Sequence, residues 1–456
     1  MTAIITDRLK KQILQAIIAD VDSADNNYYI GIGRSEVWDS ADAAPTPKNS
    51  GREIRNLGHG LQSVKVVADK SLVVPRYNWS SGAIYSGYND NIEGHPAQSY
   101  YVFTDENHVY ICLQQGRNAA GTAVTSTVKP TGTSSKAFKT SDGYIWKFLY
   151  SIGALTAAKF LAANFLPVTK ILTTDGSSTA SEVEQKGIQD SAVAGQIIGY
   201  TVTNGGTGYT STPSVTITGN GTGAKAVATV SGGAVSKIEV KESDSTLVFG
   251  QDYQYASISL TGGGGTGVKA RPIFGPRDGI GADPRDDLRA RAIMFNAKPD
   301  GTEEGDFVIG QDFRQVALIK NPKGHADSDM TDTTLRALPS LTFSTVSTAF
   351  TRDKIIRGGT SLAEAYVDDI DSSGDVIYYH QTETTGFTQF QEGEAVTETN
   401  GSGSGTLEAA GTDADDDAYV NGEFDPLTGE VLYIDNRAAV SRSAEQTEDI
   451  KIVIQI

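Results

Sequence analysis

Apolar positions recur at two spacings along this chain, and the change from one to the other comes early. Near the start they follow a helix. Leu9, Ile13, Ala16, Ile17 and Val21 fall on one stripe, and Thr6 and Asp7 stand where a cap belongs. This predicts a helix over residues 6–21, whose short stripe fits a core-packing face and an interface face alike. From Tyr28 onward the helical period gives way to short β-branched and aromatic runs bounded by Gly, Asn, Asp and Pro. Ser63–Ala68, Leu72–Val74, Ser99–Thr104, His108–Leu113 and Tyr144–Ile152 read as strands of antiparallel sheets. Further helix is expected only in short pieces, around Ala154–Phe165, Asp283–Ala297 and Ser361–Tyr366. The fold class expected is mainly β with a few helices, a β-rich α+β protein with an elongated, multi-domain, β-sandwich-like core.

Two stretches change in style. Between residues 195 and 271, Tyr209 and Tyr253 lie 44 positions apart, and so do two copies of Gly-Thr-Gly-x-Lys-Ala that begin at Gly221 and Gly265. Each copy follows a strand-like run, Ser214–Thr218 and Ser257–Thr261. The reading is two β units turning through glycine-rich hairpins, a compact module with too few copies for a solenoid. A second small β insertion is expected over 367–412, with a strand at Val376–His380 and a break at Asn400–Gly405. The core then comprises 1–194, 272–366 and 413–456, resuming at Val431–Ile434 and Asp449–Ile456, where Ile450, Ile452, Ile454 and Ile456 alternate onto one face.

Composition narrows the function classes. A net charge of −18 repels phosphate backbones and anionic lipid, so neither nucleic acid nor membrane is expected as a partner. The one cysteine, Cys112, sits in an apolar run with no basic neighbour and reads as a small buried hydrophobe in a chain made in a reducing cytosol. No run approaches the about 18 apolar residues of a membrane span, and the N-terminal apolar patch is too short for a signal peptide.

Candidate chemistry is sparse. Gly262, Gly264 and Gly267 satisfy G-x-G-x-x-G, but strand-like residues follow where a dinucleotide site needs a helix N-terminus. His59, His95, His108, His325 and His380 have no metal-ligand spacing to one another or to Cys112. The acidic run Asp413–Asp417 invites calcium but lacks the mid-loop glycine and the closing glutamate. No enzymatic activity, cofactor, metal or small-molecule substrate is expected.

The most specific signal is a set of segments in fixed order. Gly31-Ile-Gly-Arg-Ser-Glu-Val-Trp38 contributes Gly31, Gly33, Arg34, Ser35, Glu36 and Trp38. Asp142-Gly-Tyr-Ile-Trp146 contributes Asp142, Gly143, Tyr144 and Trp146. The run from Phe313 and Arg314 to Asn321 and Pro322 is the third, and Asn436-Arg437 with the later Gln446-Thr-Glu-Asp-Ile450 closes the series. Together they resemble the baseplate wedge subunit family of T-even-like contractile-tailed phages, the gene product eight family. The glycine-rich stretches resemble small β modules in tail proteins of marine and cyanobacterial myoviruses. The resemblance implies a virion protein of the tail baseplate, made in the host cytoplasm, that forms a homodimer, bridges neighbouring wedge proteins and holds the baseplate before contraction. It implies structural roles for the motif residues. Two other classes remain. One is a carbohydrate- or receptor-binding tail protein using Tyr209, Tyr253, Phe387 and Phe390; the other is a depolymerase, for which long β-helix repeats would be expected.

Overall fold

The computed structural model describes residues 4–241, 244–298, 310–330, 334–409, 418–443 and 449–456. Strands carry most of the regular structure, with five α-helices among the described residues, so the fold is a β-rich α+β one. The chain divides into two compact units, one of residues 1–14, 71–294 and 453–456, the other of 15–70 and 295–452.

In the first unit, strands Tyr101–Phe103, His108–Gln114, Ile145–Ser151 and Phe138–Lys139 lie in that order in an antiparallel sheet. Its core is aromatic: Tyr85, Tyr110, Tyr144, Trp146 and Phe148 pack around Cys112. Ile188 closes one side from the helix Ala180–Asp190, which the sequence pattern did not reveal. A reciprocal cap starts that helix, with the Thr179 amide donating to Glu182 at 2.7 Å and the Glu182 amide donating to Thr179 at 3.3 Å. Its inner face is largely amide. Gln185 donates to the Thr169 carbonyl and Gln189 to the Ile171 carbonyl, both at 2.7 Å, so the helix holds a passing segment by hydrogen bonds. A second cluster joins Val73, Phe160, Ala292 and Met294, with Phe165 and Val453 packed against it.

The module over 195–271 has an internal two-fold relation. Strands Ser214–Gly219 and Ala256–Thr261 pair with each other, and so do Ile197–Thr207 and Thr266–Phe274. Corresponding residues of the two repeats occupy corresponding places. Tyr209 packs on Gly265 and Tyr253 on Gly221, with no room for a Cβ at either glycine. Thr266 faces Thr207 while Thr222 faces Gln251. Backbone angles repeat as well: φ is 67° at Gly206 and 66° at Gly250, and 82° at both Gly223 and Gly267. A hairpin, Val227–Ser231 with Ala234–Glu239, is added to the first copy.

In the second unit, a five-stranded antiparallel sheet runs in the order Thr334–Arg336, Leu61–Val66, Tyr28–Gly33, Asp312–Lys320, Glu430–Ser441. The helix Gly51–Gly60, capped by Ser50, precedes its second strand. Beside this sheet in sequence stands a closed ring of six strands. Ser340–Thr348 pairs with Val376–His380, which continues through Glu364–Ile370, Ile355–Gly358, Ala395–Glu398 and Ser404–Leu407 back to Ser340–Thr348. Tyr419–Val420 adds a seventh strand to Ser340–Thr348. Leu341, Ile356, Val367, Ile377, Val396 and Leu407 fill the interior. Register shifts within Ser340–Thr348 and Glu364–Ile370 supply the bends a small barrel needs.

Several expectations are corrected. Asp283–Ala297 holds one helical turn, Pro284–Asp287, and then a strand, Ala292–Ala297, because every residue of that strand is buried and neither face has a helical stripe. Ser361–Tyr366 is not helical; Leu362 takes φ 59° and the strand starts at Glu364. The boundary read at residue 367 falls inside the strand Glu364–Ile370, so the barrel begins at Ser340. The N-terminal helix, Asp7–Val21, forms as expected, but its buried residue is Leu14 while Leu9 and Ile13 are exposed.

Candidate functional site

The motif residues of the second unit converge, although they are far apart in sequence. The strand that carries Gly31 and Gly33 lies beside the strand that carries Phe313 and Arg314, which in turn pairs with the strand of Asn436 and Arg437. Both glycines are forced by close approach. A Cβ on Gly31 would lie 2.8 Å from a Leu61 methyl, and one on Gly33 would lie 2.2 Å from the Gly60 carbonyl oxygen. Arg34 then turns the chain at φ 63°, its amide donating to that same carbonyl at 2.7 Å. Beyond this turn Ser35 is buried and Glu36 half-buried, while Val37 between Glu36 and Trp38 is exposed.

Arg34, Ser35, Glu36 and Trp38 join a partly buried polar knot. The Arg34 guanidinium lies 4.0 Å from the Trp38 ring and 3.7 Å from Glu36. Ser35 donates to Asp368 at 2.6 Å. Asp368 in turn sits 2.5 Å from His380 Nδ1, and Glu36 lies 3.3 Å from His380 Nε2. Tyr366 stacks on the imidazole with ring centres 5.3 Å apart. Arg314 donates to both Asp42 oxygens at 2.8 and 3.0 Å and to the Ser35 carbonyl. Trp38 donates from its indole to the Arg437 carbonyl at 3.0 Å, and Gln315 donates to Asn436 at 2.8 Å. Phe313 is buried beneath. At the far end of its strand, Asn321 closes a turn through the Asn27 backbone at 2.7 Å in each direction, and Pro322 follows it.

Electrostatically the knot centres on His380. Burial alone would lower the imidazole pKa, but Asp368 and Glu36 outweigh it and push the pKa up to about 10. The ring is therefore an imidazolium at neutral pH. The arrangement contains a Ser, an Asp and a His, yet the carboxylate stands between the hydroxyl and the ring. Ser35 donates to Asp368, and both imidazole nitrogens face carboxylates. Nothing in this geometry activates Ser35 as a nucleophile. What it does is tie the motif turn to two strands of the barrel, Glu364–Ile370 and Val376–His380.

The remaining motif segment lies in the first unit. Asp142 accepts from the Thr127 and Val128 amides at 2.8 and 3.0 Å and from Ser126 and Thr140 hydroxyls. Burial pushes its carboxyl upward, but these bonds hold it below the usual range. Gly143 turns at φ 90°, Tyr144 donates to the Val124 carbonyl at 2.7 Å, and its ring stacks on Trp146. Asp142 is thus the anchor of a loop.

Other candidates resolve simply. Tyr209, Tyr253 and Phe390 are buried, so none presents a ring face to a sugar, while the exposed Phe387 rests against His59 with ring centres 4.6 Å apart. Cys112 is fully buried, which pushes its thiol pKa well up. Gly262 and Gly264 form a turn that leads into strand. His95 bonds the Leu288 carbonyl and His108 the Tyr110 hydroxyl. His325 lies 3.2 Å from the Asn421 amide. Among the described residues no three His, Cys, Asp or Glu side chains are grouped as metal ligands, and no helix is long and apolar enough to cross a membrane. Asp413–Asp417 and Gln446–Glu448 lie outside the described residues. Sequence reasoning missed the role of His380. It is one of five scattered histidines, and only the tertiary fold brings Glu36 and Asp368 to it.

No family model matches the chain, and no curated protein does either.

Proposed function

We propose that this chain is a structural subunit of a phage tail baseplate wedge, one that pairs with a second copy and bridges neighbouring wedge proteins before contraction. The observation that carries the reading is the convergence of the motif segments. Residues 31–38, 313–322 and 433–437 resemble the wedge family one by one, and here they are neighbouring strands locked by Arg34, Glu36, Trp38, Arg314 and His380. Chance likenesses have no reason to meet in space. The sites themselves are bonded internally, as suits a rigid part that transmits load. On this reading the protein has no cofactor or substrate and resides in the virion. Gold-labelled antibody raised against the chain, applied to purified contractile-tailed particles that encode it, should mark the baseplate end of the tail. Label on the sheath or capsid, or none on particles proven intact, overturns the reading. Light scattering of the purified chain should give twice the monomer mass if the pairing precedes assembly.

A further inference from the structure

In the first unit, a recess of about 290 Å³ opens between the added hairpin of the repeat module and the segments 86–92 and 113–117. Its chemistry is divided. Its lining includes Arg117, whose guanidinium donates to the Gly121 carbonyl at 2.6 Å, and Lys237 beside Glu239. That carboxylate is already committed, with Lys139 at 2.8 Å, Lys237 at 3.1 Å and Lys241 at 3.3 Å. Burial pushes the Glu239 pKa up, yet the lysines bring it down to about 2, so it stays ionised and saturated. Three cations therefore gather around one carboxylate, in a chain whose net charge is −18. The lining also includes the uncharged polar residues Ser86, Thr201 and Gln114 and the apolar Leu113 and Ile273.

We propose that this recess binds one acidic sugar unit, with its carboxylate toward Arg117 and Lys237 and its hydroxyls toward Ser86, Gln114 and Thr201. The volume sits at the small end of ligand pockets, which run from about 300 to 1,000 Å³, and suits a single ring. A guanidinium and an ammonium in one lining match a carboxylate, and mixed hydroxyl and amide groups match a polyol that both donates and accepts. An aliphatic acid would leave the uncharged wall unused, and a neutral sugar would make no use of the excess of lysines over Glu239. The site uses none of the residues of the motif knot and stands whether or not the chain assembles into a baseplate.

Titration of the purified full chain at low ionic strength with sodium glucuronate, glucose and sodium sulfate, followed by ligand-observed NMR, tests this. Glucuronate should bind saturably with a Kd of about 1 mM, and glucose and sulfate each about ten-fold more weakly. Arg117→Gln should weaken glucuronate about ten-fold, and raised salt should weaken it further. Lys237→Gln should do the same, and because Lys237 also holds Glu239, the exposed Arg117 carries the test if that variant melts early. Failure of the folded chain to saturate with glucuronate overturns the site. Sulfate binding as tightly as glucuronate overturns the sugar, and unchanged affinity in Arg117→Gln overturns the location.

Discussion

His380 shows how one residue sets a pH response. It is 1% exposed between Glu36 and the fully buried Asp368. Its folded pKa of about 10 stands above the unfolded value of about 6.5. Its contribution is thus complete below about pH 6.5 and lost as pH rises toward 10. Glu36 acts at the other limit. Burial pushes its carboxyl up, but His380 and Arg34 hold it below the usual range, so its contribution fades as pH falls through that range. His380→Gln should cost about 3–5 kcal/mol near neutral pH, since it leaves Asp368 buried without its counter-charge. The melting-temperature gap between wild type and variant should narrow steadily from pH 7 to pH 10. A constant gap would mean the imidazole is neutral.

Elements differ in how much each residue secures. The last strand, Ile450–Gln455, alternates in sequence, yet its four isoleucines are not equivalent. Ile452 is 3% exposed and Ile456 is 39% exposed. Val453, on the opposite face, packs against the Val73 and Met294 cluster. Ile452→Ala should cost about 2–5 kcal/mol, and Ile456→Ala no more than about 0.5 kcal/mol; equal losses in urea melts would mean the strand is buried along its length. In the repeat module, Gly265→Ala and Gly221→Ala place a Cβ within 2.5 Å of a tyrosine ring. Each should cost about 1–3 kcal/mol, by similar amounts, and a loss at only one would break the symmetry. Strands were legible wherever β-branched or aromatic residues sit between turn formers, as at Val376–His380, found at its full length. The helices Gly51–Gly60 and Ala180–Asp190 were missed although Ser50 with Glu53 and Thr179 with Glu182 stand at capping spacing. Their inner faces hold glycine and glutamine where a periodic apolar stripe was sought. Ring closure of the barrel was not legible, because alternation fixes which face is buried and not which strand is the neighbour. In the candidate site, the glycines and Arg34 stood out as a turn, while the partners Asp368 and His380 come from the barrel strands.

At the scale of the molecule, the chain changes unit near residues 14, 70, 294 and 452, and the repeat module lies wholly within one of the two. Thr201 and Arg271 are cross-strand partners, and everything between them leaves and returns at that pair. Replacing 202–270 with a two-residue turn should give a soluble chain with a cooperative melt, since two paired strands need no long connection. Aggregation of that variant would assign the module to the core. The same module is symmetric in its register. Val215 faces Leu260, and Ser259, its repeat counterpart, faces Thr216, the counterpart of Leu260. Such pairing is what two identical chains adopt about a dyad, each offering the other the same surface. Fusing two copies of such a chain end to end would turn an isologous dimer into a single chain, with tyrosine-on-glycine contacts like those at Gly221 and Gly265 crossing between the copies. A lone 44-residue copy, freed from its twin, would have its binding surface already built, and its natural partner would be itself.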